Sequence, residues 1–419
     1  MQDQFAGQEI SGRRAERVKP HLALAALLLA LSHGALAAED APPAASQPAE
    51  PADPSITYVS AGGIVPSGLP VDPLASLYLW RAPASGESRL RAQLSVIANE
   101  LRWDRRVSPG QGWQTVLGLD STTFPWEQAE VVDGSEYRPG ELKWYQARVG
   151  AGFGWHGPLG RGETFNGLDA ALTLEGGALW FRQGSETAPA FVLPVDTFEG
   201  RLHLRVRADA LSRNDVLIPT RGWSAGLDGN WGVRNRWEPW GDPATGLVTG
   251  GRGWVAASGF AYGVVPLSGL GGEQVLVASL HAGIGSGLDR FSSLRLGGGS
   301  NWGDHETLSR PILPGAAMDE IATSRFAIAD LEYRVRVVSL LFLQARGTLA
   351  WADVPVQFAG GFEKKTPAFP AVTLGLTTGL PWDMALEASW SWNFGLESAG
   401  DVAPTKGRSG VTALLVKSF

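Results

Sequence analysis

Between Asp383 and Phe394 the residues Met384, Leu386, Ala388, Trp390, Trp392 and Phe394 fall on one parity, and Asp383, Glu387, Ser389, Ser391 and Asn393 on the other. A period of two sends successive side chains to opposite faces of a strand, so this segment has one apolar and one polar face. An apolar row ending in Trp, Trp and Phe fits the outer band and aromatic girdle of a transmembrane barrel, whose lumen is polar. A large soluble sandwich or propeller is the competing class.

The alternation recurs with charge in place of serine. Leu202, Leu204, Val206 and Ala208 oppose Arg201, His203, Arg205, Arg207 and Asp209. Leu90, Ala92, Leu94, Val96 and Ala98 oppose Arg89, Arg91, Gln93 and Asn99, read as one strand. Ala327, Ala329, Leu331, Tyr333, Val335 and Val337 oppose Asp330, Glu332, Arg334 and Arg336, and Tyr145, Ala147, Val149, Ala151, Phe153 and Trp155 form a further apolar row. The polar rows predict a lumen lined by Arg201, His203, Arg205, Arg207, Asp330, Glu332, Arg334 and Arg336. Such charges either line an anion-selective path or pair with one another and close it.

Composition agrees with an all-β membrane chain. There are 17 Trp, 3 Met and 54 Gly, and beyond the N-terminus no apolar run is long enough for a helix to cross a bilayer. Cysteine is absent, which excludes disulfides and thiolate metal sites. The formal charge of −7 argues against nucleic acid as a partner.

Arg13, Arg14, Arg17 and Lys19 precede an apolar stretch at 22–31, and Ala35-Leu36-Ala37 supplies a small-x-small cleavage site. Residues 1–37 therefore read as a Sec signal peptide cleaved near Ala37, and the expected location is the cell outer membrane of a Gram-negative bacterium. Residues 38–72 read as a Pro/Ala-rich and then Gly/Pro-rich periplasmic segment, leaving 73–419 for the barrel.

Loop lengths test this reading, because bacterial barrels have short periplasmic turns and longer outer loops. Counting back from the last strand, 395–408 is long, 380–383 short, 353–368 long, 338–339 short and 297–322 very long. Further upstream 234–252 is long, 213–220 shorter, 184–197 long, and Glu175-Gly176-Gly177 reads as a tight turn. The phase fails between Pro125 and Gly140, where Asp133-Gly134 signals a hairpin while Pro125 and Pro139 break strands. At roughly ten residues per strand, the expectation is a transmembrane antiparallel β-barrel of about 16 strands, with a range of about 14–16.

Four segments carry a resemblance. Asn214-Asp215-Val216-Leu217-Ile218-Pro219-Thr220-Arg221-Gly222, then Phe291 with Leu294, Leu296, Gly297 and Gly298, then Leu331-Glu332-Tyr333-Arg334 opening the last five strands, and finally Val416-Lys417-Ser418-Phe419 resemble motifs of the BamA/TamA-type outer-membrane barrels, also called bacterial surface antigens. The resemblance is specific over 210–419 and rests on pattern alone over 75–210. It implies a sixth loop that folds inward from Gly297 and Gly298, and an insertion signal ending on Phe419. It also implies outer-membrane lipid, the barrel-assembly machinery and a separate periplasmic protein as partners. Two departures stand out: the segment 38–72 has no room for a POTRA domain, and the family's loop arginine is missing. In its place stand Asp304, His305 and Glu306, and the acidic Asp304 and Glu306 are expected to pair with Arg201, Arg205 and Arg207 if the loop folds inward. Glu332 stands where a carboxylate of the related barrels meets that arginine, and Gln344 replaces a later aspartate.

No catalytic constellation emerges. His203 belongs to the arginine row, His156 is read at an outer rim without a serine nearby, and Gly283-Ile284-Gly285-Ser286-Gly287 has its serine one place off a nucleophile elbow. Asp304-His305-Glu306 are chain neighbours that do not readily converge on one metal ion. The expectation is a non-catalytic barrel without cofactor or metal, serving transport or membrane insertion and translocation with a loop-plugged lumen. A structural surface antigen or envelope-complex subunit is the alternative, followed by a porin-like channel or a lipid-modifying enzyme.

Overall fold

The computed structural model describes residues 55–82, 87–108, 112–123, 127–132, 135–159, 166–213, 218–243, 251–267, 274–300, 309–338, 340–358, 361–398 and 405–419. The expected signal peptide, the segment up to Pro54, the stretch Asn214 to Leu217, and Asp304, His305 and Glu306 lie outside the described residues.

The alternation produces strands throughout. They are β1 (Ser55–Pro66), β2 (Asp72–Arg81), β3 (Ser88–Ser95), β4 (Ala98–Arg106), β5 (Trp113–Thr123), β6 (Gln128–Val132) and β7 (Ser135–Pro158). There follow β8 (Gly167–Gln183), β9 (Thr197–Arg213), β10 (Pro219–Arg234), β11 (Gly253–Pro266), β12 (Gln274–Ser286), β13 (Leu294–Leu296) and β14 (Ile321–Thr323). The last are β15 (Arg325–Val338), β16 (Leu341–Ala352), β17 (Val354–Phe358), β18 (Gly361–Lys365), β19 (Ala368–Leu380), β20 (Met384–Ser398) and β21 (Thr405–Ser418). Sixteen of them form one closed antiparallel barrel, each pairing with its neighbour in the ring, while β6 pairs with the first part of β7, and β13–β14 and β17–β18 are separate hairpins.

Closure joins the first strand to the last. β1 pairs with β21 from Tyr58↔Ser418 to Pro66↔Gly410, and Ser67 N and Phe419 N extend the ladder by donating to Ser409 O and Thr57 O. Here the backbones approach closely: a Cβ on Gly62 would lie 2.0 Å from Ala413 O, which is why a glycine stands there. The barrel thus begins at Ser55, and the assignment of 55–72 to a leading segment is corrected. Ala61, Gly62 and Gly63 carry too little side chain for alternation to show.

Two turns also move. Glu175-Gly176-Gly177 lies inside β8, paired on both sides with β7 and β9. The expected strand 89–99 is instead a hairpin, with β3 and β4 joined through Val96 and Ile97. Between Pro125 and Gly140, β6 and β7 meet as a hairpin at Val132↔Ser135, with Pro139 accommodated in β7.

Strand ends define a base, carrying Ser55 and Phe419, and a top. Toward the top the strands β7 to β9 run 24, 17 and 17 residues, against 8 and 9 for β3 and β4. Their excess length supports an aromatic core in which Trp144, Phe181, Phe191, Trp237, Trp240 and Phe291 are buried together. Outward rows such as Leu172 and Leu174 on β8 or Leu374 on β19 are exposed, as lipid-facing positions of a transmembrane barrel are.

Candidate functional site: the lumen and its inserted loop

The interior is built by the polar parity of each strand. On β9, Arg201, His203, Arg205 and Arg207 face inward toward carboxylates of β4, β5, β8 and β10. Arg201 Nε donates to Glu175 at 2.7 Å and its terminal nitrogen reaches Asp120 at 3.3 Å. His203 sits between two carboxylates, Nδ1 at 2.9 Å from Glu175 and Nε2 at 3.2 Å from Asp228. Arg205 donates to Glu100 at 2.9 Å, while Arg207 binds Asp228 and lies over the Phe260 ring at 5.4 Å. Arg148 joins Asp120 to Glu199 at 2.8 and 3.3 Å. These alternating signs enclose a cavity of about 330 Å³ lined by Arg102, Arg148, Arg201, Arg205, Asp120 and Glu175.

The partners described for Arg201, Arg205 and Arg207 are carboxylates of the wall, and the expected pairing with Asp304 and Glu306 lies outside the described residues. Register places these wall partners, since β8↔β9 pairing sets Glu175 opposite Arg201 and β10↔β9 sets Asp228 opposite Arg205.

On β15 the four predicted residues also point inward. Asp330 accepts from Ser279 at 2.9 Å and from Thr348, whereas Glu332 accepts from Arg334 at 3.0 and 2.6 Å. Arg346 is the cross-strand neighbour of Glu332, Gln344 faces Gly375, and Arg336 lies 5.9 Å from the centre of the Phe342 ring.

The connection from β12 to β15 enters this interior. Its first turn is fixed at the top, where Asp289 Oδ1 accepts from the amides of Phe291 and Ser292 at 3.1 Å and the carboxylate binds the fully buried Arg234. Arg234 also binds Glu199 at 3.1 Å and stacks over Trp237 at 4.1 Å. Across the barrel, Arg290 donates to Gly140 O at 2.7 Å, and Arg290 and Arg295 hold Glu130 of β6 at 2.7 and 3.1 Å. Burial drives the Arg290 guanidinium down to about 10 against the pull of Glu130. Burial also raises the Glu130 carboxyl, but Arg295 and Arg290 outweigh it and hold the group below the ordinary range.

Past β13, Gly297 and Gly298 run against the returning chain. Gly298 N donates to Ala317 O at 2.9 Å, and a Cβ on Gly298 would lie 2.2 Å from Ala316 O. The loop then reaches the opposite arc. Ser300 donates to Glu387 of β20, Met318 N to Asp72 of β2 at 2.7 Å, and Asn393 to Pro314 O at 2.9 Å, while Arg408 of β21 binds Glu320. Gly299, Ser300 and Arg310 share a cavity of about 490 Å³ with Arg205, Arg207 and Asp228. Loop and charged wall therefore face each other across the lumen.

Of the histidines, His156 is moved: it lies near the base, with Nδ1 2.9 Å from Arg89 and 3.1 Å from Asp169. Phe419 ends β21 at the base and is exposed, its ring 5.1 Å from Lys417 Nζ. The buried groups that anchor the loop, Arg234, Asp289, Asn393 and Arg408, were not anticipated. Only Asp289 followed by Ser292 and Ser293, a local turn-capping pattern, offered a signal.

No family model and no curated protein matches the chain. Among solved structures it is similar to the crystal structure of BamA from Haemophilus ducreyi lacking POTRA domains 1-3, with a TM-score of 0.51 and 12% identity over 94% of this chain and 79% of that one. CdiB from Acinetobacter baumannii aligns at a TM-score of 0.48 and 11% identity over 86% of this chain and 60% of that one. CdiB from Escherichia coli aligns at 0.46 and 12% over 89% and 64%. The fold is that of the BamA-type barrel.

Proposed function

We propose that this is an outer-membrane barrel of the BamA/TamA superfamily, non-catalytic, whose lumen is plugged by its own sixth loop and which passes or inserts a cargo at the outer membrane. The observation that carries the reading is the path of the loop: anchored at Asp289 against Arg234, it reaches Glu387 and Asp72 on the opposite arc. A loop so placed gates a path or excludes one, and a solvent-filled porin lumen has no use for it. Expected partners are the barrel-assembly machinery during biogenesis and a separate periplasmic protein. In planar bilayers the intact barrel is expected to conduct little, and deletion of residues 300–312 to raise conductance strongly. A deletion variant that is folded and as tight as the parent would overturn the plug.

A structural surface antigen is the second reading, favoured by the fully laddered closure of β1 on β21. An engineered disulfide across Gly63 and Ala413, cross-strand neighbours in that seam, separates the two. It should block a cargo-moving barrel whose seam opens and leave a structural one unaffected.

A further inference from the structure

The base of the barrel is unevenly finished. Around β2–β3, β7–β8 and β9–β10 the connections carry charge in sequence, with Arg81 and Glu87, Arg161 and Glu163, and Arg213 and Asp215. On the arc from β15 to β21 the finish is mainly apolar, with Asp383 and Lys417 as its charged groups. From Val337 to Leu343 the chain reads Val-Val-Ser-Leu-Leu-Phe-Leu without a charge. Val337, Val338 and Leu340 are exposed there, and the next base turn presents Trp382 at 79% exposure beside Phe419 at 76%. Elsewhere at the base Val107 is exposed together with Trp113 on one turn, and Val265 is exposed on another, whereas on this arc two adjacent turns share large exposed apolar residues.

The backbone adds an independent observation. Trp382 and Asp383 both adopt left-handed conformations, at φ 64 and 56, where glycine or asparagine is the usual choice. A tryptophan held in such a turn and left in the open indicates a role outside the fold. The turn is secured by the last strand: Ser418 N donates to Asp383 O at 3.0 Å, and Lys417 Nζ donates to Trp382 O. Lys417 thus lies along the apolar edge with its ammonium at the aromatic rim, the posture of a lysine at a membrane interface.

From these we infer that the base turns of β15–β21 form a lipid-docking surface, sunk into the interface of the inner leaflet, while the charged turns of the remaining arc stay in water. The occupant is the bilayer and not a second protein, because the patch continues the lipid-facing rows of β15 and β21. Leu331, Tyr333 and Val337 descend β15 to Val338, and Leu415 descends β21 to Phe419 with only Lys417 between. On the other arc charge ends the belt, whereas here the charged groups are Lys417 and the exposed Asp383 that it approaches at 4.0 Å, set among the apolar residues.

This rests on the membrane-barrel reading, and the test separates the two. The chain has no cysteine, so single substitutions report one place each. Leu340→Cys, Trp382→Cys, Glu87→Cys and the mid-belt Leu374→Cys are labelled with an environment-sensitive fluorophore. Each is reconstituted in phosphatidylethanolamine–phosphatidylglycerol vesicles, with folding checked by heat-modifiable migration. Pro381→Cys replaces Trp382→Cys if that variant does not fold. Labels at 340 and 382 should be quenched by lipids brominated near the headgroup and shielded from iodide, with the reverse at 87. Iodide quenching of 340 and 382 equal to that of 87 would overturn the docking surface and leave the patch facing the periplasm. Loss of lipid quenching at 374 would instead sink the membrane barrel itself.

Discussion

The arc from β7 to β10 and the arc from β15 to β21 share one alternation and are finished in opposite ways. The first rises to 24 residues, crowds its inner face with Arg201, His203, Arg205 and Arg207 against Glu175, Asp120 and Asp228, and ends in an aromatic core. The second pairs fewer charges, rests its inner face on the inserted loop through Asn393, Glu387 and Arg408, and meets the seam. The first arc pairs most of its described inner charges within the wall and meets the loop at its top, through Arg234 and Asp289, whereas the second meets the loop along its inner face. Polar groups that satisfy one another within a sheet fix its shape, whereas an arc completed by a loop can exchange that loop for another ligand.

The largest expected effect tests the joint between them. Arg234→Ala leaves Glu199 and Asp289 buried without their common partner and should cost about 3–5 kcal/mol in urea unfolding from vesicles. Arg234→Met, which fills the volume without a charge, should not rescue it, because both acids remain. A cost like that of a surface substitution would show that the joint is not structural.

Next come the lipid faces, where the arcs should be alike. Leu174→Arg on β8 and Leu374→Arg on β19 should each cost about 2–4 kcal/mol near the bilayer midplane. If only one is sensitive, the two arcs do not span the same membrane depth.

Acid should act on the loop's anchorage at the top, where it meets β6. The Glu130 carboxyl is held below its usual value by Arg295 and Arg290 against burial. A depressed carboxyl contributes stability above its unfolded pKa and loses it as pH falls through the folded value. Loop anchoring at the top should therefore weaken only below about pH 4.5, the ordinary value for glutamate. Limited proteolysis of the β12–β15 connection across pH reads this, and Glu130→Gln should remove the dependence. Smallest of all, Arg182→Ala breaks the exposed pair with Asp196 and should change stability by at most about 1 kcal/mol. A larger loss would mean that the top is less solvated than its exposure indicates.

Most of the wall was legible because period two survives any sequence that keeps one face in lipid. The misreadings have a physical pattern. Ala170, Leu172, Leu174, Ala178 and Trp180 keep one parity across Glu175-Gly176-Gly177, so the unbroken phase outweighed the glycines as a signal and marked strand. In the hairpin of β3 and β4 the apolar parity flips between Leu94 and Leu101, which a turn produces and a continuous strand does not. β1 was invisible because Ala61, Gly62 and Gly63 trade side chains for backbone approach. The loop's anchors were illegible for another reason. Arg234 and Asp289, or Asp72 and Met318, are far apart in sequence, and only closure of the ring brings them together.

That closure also orders events in time. The strand that completes the ring is the first of the ring in sequence, so its partner β21 is made last, and the Asp72–Met318 contact joins residues 246 positions apart. A ring already shut offers no route for a folded hairpin to slip inside, and contacts of such separation form late because their loop-closure entropy comes first. The hairpin must therefore be seated before the seam zips, which makes the plug a template around which the wall is wound. A crosslink between Ile64→Cys and Thr412→Cys, introduced during assembly, should form only after Asp72 and Met318 have met. Its earlier appearance would show that the wall closes first.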